Sequence, residues 1–316
     1  MSDKPPSIQD RLIAAGFGAG WAVVPKLPRR LTAAAFRAAA DRVWRRGGTS
    51  VRRLEANLAR VTGLPPGSAE LRELTRAGLR SYFRYFHEVF LLPSMSKQEI
   101  VGRSRVTGEE HIFQTLATGR GIVLALPHMG NWDQAGAWLV AMGHPFTTVA
   151  ERLRPESLFR RYVAFREGLG MTVLPLTGGD GHNFGKLAQV VRGGGVVCLP
   201  AERDLTARGV EVEFFGAATR VPAGPPLLAV QTGAALLPVI LWYEGGDWAF
   251  RIHEEIPVPE EGTRQEKVSA VAQSLISVFE KGIAEHPEDW HMLQRLWLDD
   301  LEPRPGAAGA RGEAER

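Results

Sequence analysis

The sequence predicts an α/β chain: a mostly parallel central sheet flanked by helices, with a helical, membrane-associating region ahead of it. Three observations carry this. Residues 10–92 have apolar residues at helical spacing. From about residue 100, short apolar runs alternate with helical stretches, which is the pattern of a parallel sheet with helices between its strands. The third is a dense block of basic residues early in the chain.

The early helices are read from their stops and stripes. Phe36, Ala40, Val43 and Trp44 share one face of an element ended by Gly47-Gly48. Leu54, Leu58 and Val61 mark a second helix, ended by Gly63 and Pro65-Pro66. Leu71, Leu79, Phe83, Phe86 and Phe90 mark a long third over 69–92. The strand candidates are Gly121–Leu126, Pro145–Ala150, Met171–Leu176, Gly195–Pro200, Ala235–Trp242 and Trp248–Ile256. Helix candidates fall at 131–142, 155–168, 184–192, 225–233 and 265–285. The organisation expected is a helical region at 1–92, an α/β core at 93–302 and a disordered tail at 303–316, rich in Pro, Gly, Ala and charge.

Net charge is only +3, but between Lys26 and Arg60 stand ten basic residues and two acids, Asp41 and Glu55. Such a block points to a polyanionic surface, and the chain has no aromatic-studded motif for nucleic acid. An uncharged run at Leu12–Pro25 is shorter than the roughly 20 residues a membrane span needs. Prolines interrupt the other uncharged stretch, Val221–Tyr243. The expected association is therefore peripheral. Cys198, the single cysteine, lies in an apolar run and reads as a buried small hydrophobe rather than a nucleophile. No ligand cluster with metal spacing is present, and no metal or cofactor is expected.

In open α/β sheets ligands bind beyond the carboxyl ends of the strands. Those ends carry His128 and Asp133, then Glu151 and Arg152, then Thr177 to Asp180, then Glu202, Arg203 and Asp204. If the strands are neighbours, these groups converge. Asn131 reads as a helix cap with Gln134 three residues on. That leaves His128 in the preceding loop and Asp133 in the first turn, from which Asp133 can reach back to the imidazole. A carboxylate on one ring nitrogen raises the basicity of the other, making His128 a candidate general base. Arg166, near the end of its helix, either offsets the helix dipole or serves the site.

Pro-His-Met-Gly-Asn-Trp-Asp (127–133) resembles the His-x4-acid motif of the lipid A biosynthesis acyltransferase family. The resemblance continues through Leu-Pro-Ala-Glu-Arg-Asp (199–204), Phe214-Phe215-Gly216 and Pro222-Ala223-Gly224, and covers roughly residues 10–300. Within the family the chain is most similar to the actinobacterial phosphatidylinositol mannoside acyltransferases, on Glu151, Glu202 and the Phe165–Gly170 block.

The resemblance implies a glycerolipid acyltransferase-like fold on the cytoplasmic face of the cell membrane. It implies transfer of a long, palmitoyl-like chain from acyl-CoA, a co-substrate, to a mannose hydroxyl of phosphatidylinositol mannosides, an anionic glycolipid acceptor. On that pattern His128 is the base, Asp133 its orienter and Glu202 part of the catalytic set. Glu151, Arg166 and Arg203 line the substrate side. An acyl carrier protein donor or another glycolipid or glycerophosphate acceptor stays open, as does a catalytically inactive lipid-binding protein. Glu261-Gly262-Thr263-Arg264 spells a phosphate-binding block of the glycerol-phosphate enzymes, but lies in a linker-like stretch and reads as a chance match.

Overall fold

The computed structural model describes residues 8–151, 155–175, 183–204, 206 and 209–301. The expected tail, Arg152 and the strand end at Thr177–Asp180 lie outside them. Eleven α-helices and nine strands occur among the described residues. The helices are α1 (Ile8–Val23), α2 (Arg29–Arg46), α3 (Thr49–Thr62), α4 (Ala69–Leu91), α5 (Lys97–Gly102), α6 (Glu109–Ala117), α7 (Trp132–Ala141), α8 (Glu156–Gly168), α9 (Asn183–Arg192), α10 (Gly224–Thr232) and α11 (Arg264–Glu285). The strands are β1 (Ser104–Thr107), β2 (Ile122–Leu126), β3 (Phe146–Ala150), β4 (Thr172–Pro175), β5 (Val196–Pro200), β6 (Val210–Phe214), β7 (Ala217–Val221), β8 (Ala235–Glu244) and β9 (Asp247–Ile252).

Seven strands form one sheet in the order β1-β9-β8-β2-β5-β3-β4, and β6-β7 make a separate hairpin. From β8 to β4 every pairing is parallel; β9 turns back antiparallel on β8 and β1 follows it. All five residues of β2 are buried, as in a parallel sheet covered on both faces. Central β2 and β5 run in register, Leu124 beside Cys198 and Leu126 beside Pro200. That register sets the site: two residues beyond each strand's end stand His128 and Glu202.

The helical region is packed on the core. Phe17 and Trp21 of α1 meet Phe90 of α4 and Tyr162 of α8 through four ring contacts, with centroids 5.3–5.8 Å apart. The α4 stripe Thr75, Gly78, Ser81, Tyr85 and Glu88 is buried, at the spacing of one helical face. No described helix is long and apolar enough to cross a membrane. Val23, Leu27 and Leu31, between α1 and the start of α2, are nonetheless 49%, 49% and 67% exposed.

The Glu261–Arg264 stretch is a helix start. Thr263 caps α11 in a reciprocal box with Glu266. The sequence reading missed β1 and the β6-β7 hairpin, whose four- and five-residue strands alternate exposed positions with buried or half-buried ones.

Candidate active site

The loop after β2 carries His128, and Asn131 caps α7 by accepting the Gln134 N–H at 3.0 Å. Gly130 has φ +56°, and a Cβ there would stand 2.9 Å from the Leu241 carbonyl carbon. Only glycine lets the loop lie this close to β8. A segment following α11 clamps the loop from above. Met129 and Trp290 form an antiparallel bridge, Gly130 N–H donates to Asp289 O, and His291 N–H donates to His128 O, each at 2.8 Å.

Glu202 is fully buried, and its Oε1 accepts two hydrogen bonds from one residue: His128 N–H at 2.6 Å and His128 Nδ1 at 2.7 Å. Burial alone would raise the Glu202 carboxyl. The imidazole's charge and the hydrogen bonds outweigh it and hold the group below the usual carboxylate range. With Nδ1–H given to a carboxylate, the Nε2 lone pair of His128 is available for a proton. His128 is 28% exposed, so its ring borders the cavity while its partner is sealed behind it.

The expectation that Asp133 orients His128 is not met by the geometry. Asp133 stands in the first turn of α7 as foreseen, but the helix turns its carboxylate inward. Oδ1 accepts from Arg166 Nε at 2.7 Å; Oδ2 accepts from Tyr85 Oη–H at 2.7 Å and Arg166 Nη2 at 3.3 Å. Glu202 holds the place at Nδ1, because β2 and β5 are in-register neighbours and Asp133 points towards α4 and α8. Arg166 binds Asp133 and also lines the cavity. Burial works against its charge, but Asp133 outweighs that and raises it. Burial, then the Asp133 charge, pushes the Tyr85 phenol well up, so it remains a donor.

Arg203 and Glu151 meet at the rim, Nη2 to Oε2 at 3.3 Å, and Arg203 Nη1 also bonds Gln294 Oε1. Half of the Glu151 side chain is exposed. The three adjacent strand ends β2, β5 and β3 thus bring His128, Glu202, Arg203 and Glu151 together.

From His128 a cavity of about 320 Å³ runs along one face of the sheet beneath α7. Its floor follows the strand register: Leu124, Cys198 and Thr148 lie side by side across β2, β5 and β3. Val239 and Leu241 of β8, with Ile252 and Phe250 of β9, continue the wall. Cys198 is buried there, and burial pushes its thiol up. Gly136 of α7 faces the space, and a Cβ would stand 2.7 Å from Met171 Cε and 2.8 Å from Phe146 Cζ. This is a largely apolar slot with a few polar groups on its lining, the usual form of a small-molecule site.

The chain matches the model of the bacterial lipid A biosynthesis acyltransferase family over residues 10–299. It belongs to that family. The acyltransferase is 49% identical over 286 residues to a phosphatidylinositol mannoside acyltransferase of Mycolicibacterium smegmatis, covering 90% of this chain and 91% of the relative. It is 49% identical over 287 residues to a protein of the same description from Mycobacterium tuberculosis, covering 90% and 88%. A lipid A biosynthesis acyltransferase of Haemophilus influenzae is 28% identical over 174 residues, 54% of each chain. The acyltransferase acts on a hydroxyl group, as an O-acyltransferase.

Sequence reasoning missed Ser81, Tyr85, Glu88, Asp289 and His291 around the site. Glu88, buried, accepts from Asn131 Nδ2 at 2.8 Å, Trp248 Nε1 at 2.6 Å and Arg84 Nε at 2.7 Å, and so anchors the cap of α7. The available signal was their spacing: Ser81, Tyr85 and Glu88 are i, i+4 and i+7 on one helix face.

Proposed function

We propose that this acyltransferase transfers a long, palmitoyl-like acyl chain from acyl-CoA to a mannose hydroxyl of phosphatidylinositol mannosides. The observation that carries the reading is His128, held by Glu202, on the border of a largely apolar cavity; the two mycobacterial relatives support the acceptor. In the reaction, His128 Nε2 takes the proton of the acceptor hydroxyl as its oxygen attacks the thioester carbonyl. Glu202 balances the imidazolium that forms. The tetrahedral intermediate collapses, the carbon–sulfur bond breaks, and the imidazolium returns its proton to the departing thiolate. The acyl chain rests in the apolar slot, where each buried methylene contributes about 0.8 kcal/mol. Arg203, Glu151 and the Asp133–Arg166 pair shape the end that meets the acceptor and the thiol arm.

The protein works at the cytoplasmic face of the membrane, through the α1–α2 region. There exposed Val23, Leu27 and Leu31 stand among Lys26 and Arg30, which suits insertion of apolar side chains beneath anionic headgroups.

The test is thiol release from palmitoyl-CoA by the purified protein, with and without mannosylated phosphatidylinositol, for wild type and His128→Ala. Acceptor-stimulated release that disappears in the variant is the expected result. Equal release by both proteins would remove His128 from the chemistry. Stimulation only by a carrier-protein thioester would replace the donor.

A further inference from the structure

The cavity holds a second histidine that the chemistry above does not use. His291 follows α11, is 7% exposed and lines the same cavity as His128. Its main-chain N–H donates to His128 O at 2.8 Å, which holds the two residues side by side. Its ring is fixed from behind. Ser81 Oγ donates to Asp289 Oδ1 at 2.5 Å, so its lone pair faces His291 Nε2 at 2.9 Å and accepts that nitrogen's proton. Asp289 is anchored in turn by Tyr243 N–H on Oδ2 at 2.8 Å.

The Ser81–Asp289 arrangement therefore places the His291 hydrogen on Nε2 and leaves a lone pair on Nδ1. That Nδ1 is buried and has no hydrogen-bond partner among the described residues. Such an unmet acceptor is expensive in a folded protein and calls for a donor. Burial, with the charge on His128 second, pushes the ring down to about 3, so it stays neutral and does not compete with His128 for protons.

We propose that His291 Nδ1 accepts a hydrogen bond from a second hydroxyl of the acceptor's polyol ring, holding the ring so that a neighbouring hydroxyl meets His128 Nε2. The ligand chemistry follows from the missing donor. The thioester carbonyl, its sulfur and its acyl chain have no N–H or O–H to give, whereas every free hydroxyl of a sugar does; the amide N–H groups of the thiol arm are the other donors, and the donor KM tells them from the sugar. This rests on the reading of the site as one that acylates a sugar hydroxyl.

The experiment is steady-state kinetics of the full chain with palmitoyl-CoA and mannosylated phosphatidylinositol, for wild type, His291→Phe and His291→Asn. Phe fills the ring's space without an acceptor; Asn offers an amide oxygen near the place of Nδ1. His291→Phe should raise the acceptor KM about tenfold, the worth of one hydrogen bond, with the donor KM within about twofold. His291→Asn should stay within about threefold of wild type. An unchanged acceptor KM in a normally melting Phe variant, or a rise in the donor KM instead, would overturn the proposal. If the Phe variant melts early, Ser81→Ala releases the ring's tautomer without removing it, and an unchanged acceptor KM there would overturn it equally. If wild type transfers from no thioester, the proposed function fails by itself. Calorimetric binding of the mannosylated lipid to wild type and His291→Phe then decides the contact: about tenfold weaker binding supports it, equal binding overturns it.

Discussion

Glu202 Oε1 takes both the main-chain N–H and the ring Nδ1 of His128, so one buried carboxylate oxygen fixes the loop and the imidazole together. Glu202→Gln keeps the shape but replaces the carboxylate that balances a protonated ring. The kcat for acyl transfer should fall by roughly 10²–10⁴-fold, the span associated with general acid–base catalysis. Glu202→Gln activity within tenfold of wild type would assign the imidazole's support elsewhere.

Asp133 and Arg166 make a different contrast. Asp133 is buried and Arg166 nearly so, and removing one strands the other's charge. Arg166→Met should destabilise by about 3–5 kcal/mol, whereas a joint Asp133→Leu/Arg166→Met change should recover much of that. Urea unfolding of the single and double variants measures it. A single variant as stable as wild type would show that the Asp133 charge finds another partner.

Gly136 faces the apolar slot where a side chain would meet Met171 and Phe146. Gly136→Val should shift donor preference towards shorter acyl chains, read as kcat/KM across a series of acyl-CoA lengths. A preference identical to wild type would route the acyl chain away from α7.

Asp289 and His291 give opposite pH dependences. Burial raises the Asp289 carboxyl to about 6, from an unfolded value of 3.8. Its contribution to stability is full below 3.8 and is lost as pH rises through 6. His291 is lowered to about 3 from 6.5, so its contribution is present above 6.5 and lost as pH falls towards 3. Between pH 4 and 6 the two slopes oppose. Asp289→Asn removes one, and its stability should fall on acidification through that window up to about 1.4 kcal/mol per pH unit more steeply than wild type. Parallel denaturation curves from pH 7 to 4 would contradict the pairing.

Leu27→Glu with Leu31→Glu should weaken co-flotation with vesicles containing anionic lipid, while thiol release from detergent-dispersed substrate persists. Undiminished flotation would move the membrane contact away from α2.

The sheet was legible because buried strands are written as short apolar runs between glycines and prolines, and six of the nine described strands have that form. Strand ends disclosed His128 and Glu202 for the same reason, since the polar residues begin where the apolar run stops. The partner of Asp133 was not legible because spacing gives a residue's position on a helix but not the side its neighbours require; Tyr85 and Arg166, 48 and 33 residues away, decide that. His291 and Asp289 lie in a segment with no periodicity at all, so nothing in the sequence marks them as belonging with Ser81, over 200 residues earlier.

The Met129–Trp290 bridge has a consequence for how the enzyme matures. Synthesis proceeds from the N-terminus, so the sheet and the His128 loop exist before their clamp does. A nascent chain that stops short of Trp290 carries the His128 and Glu202 side chains but leaves the loop without its cross-strand partner. Competence would then arrive late and all at once, and partial chains would stay silent towards any acyl donor or acceptor they met.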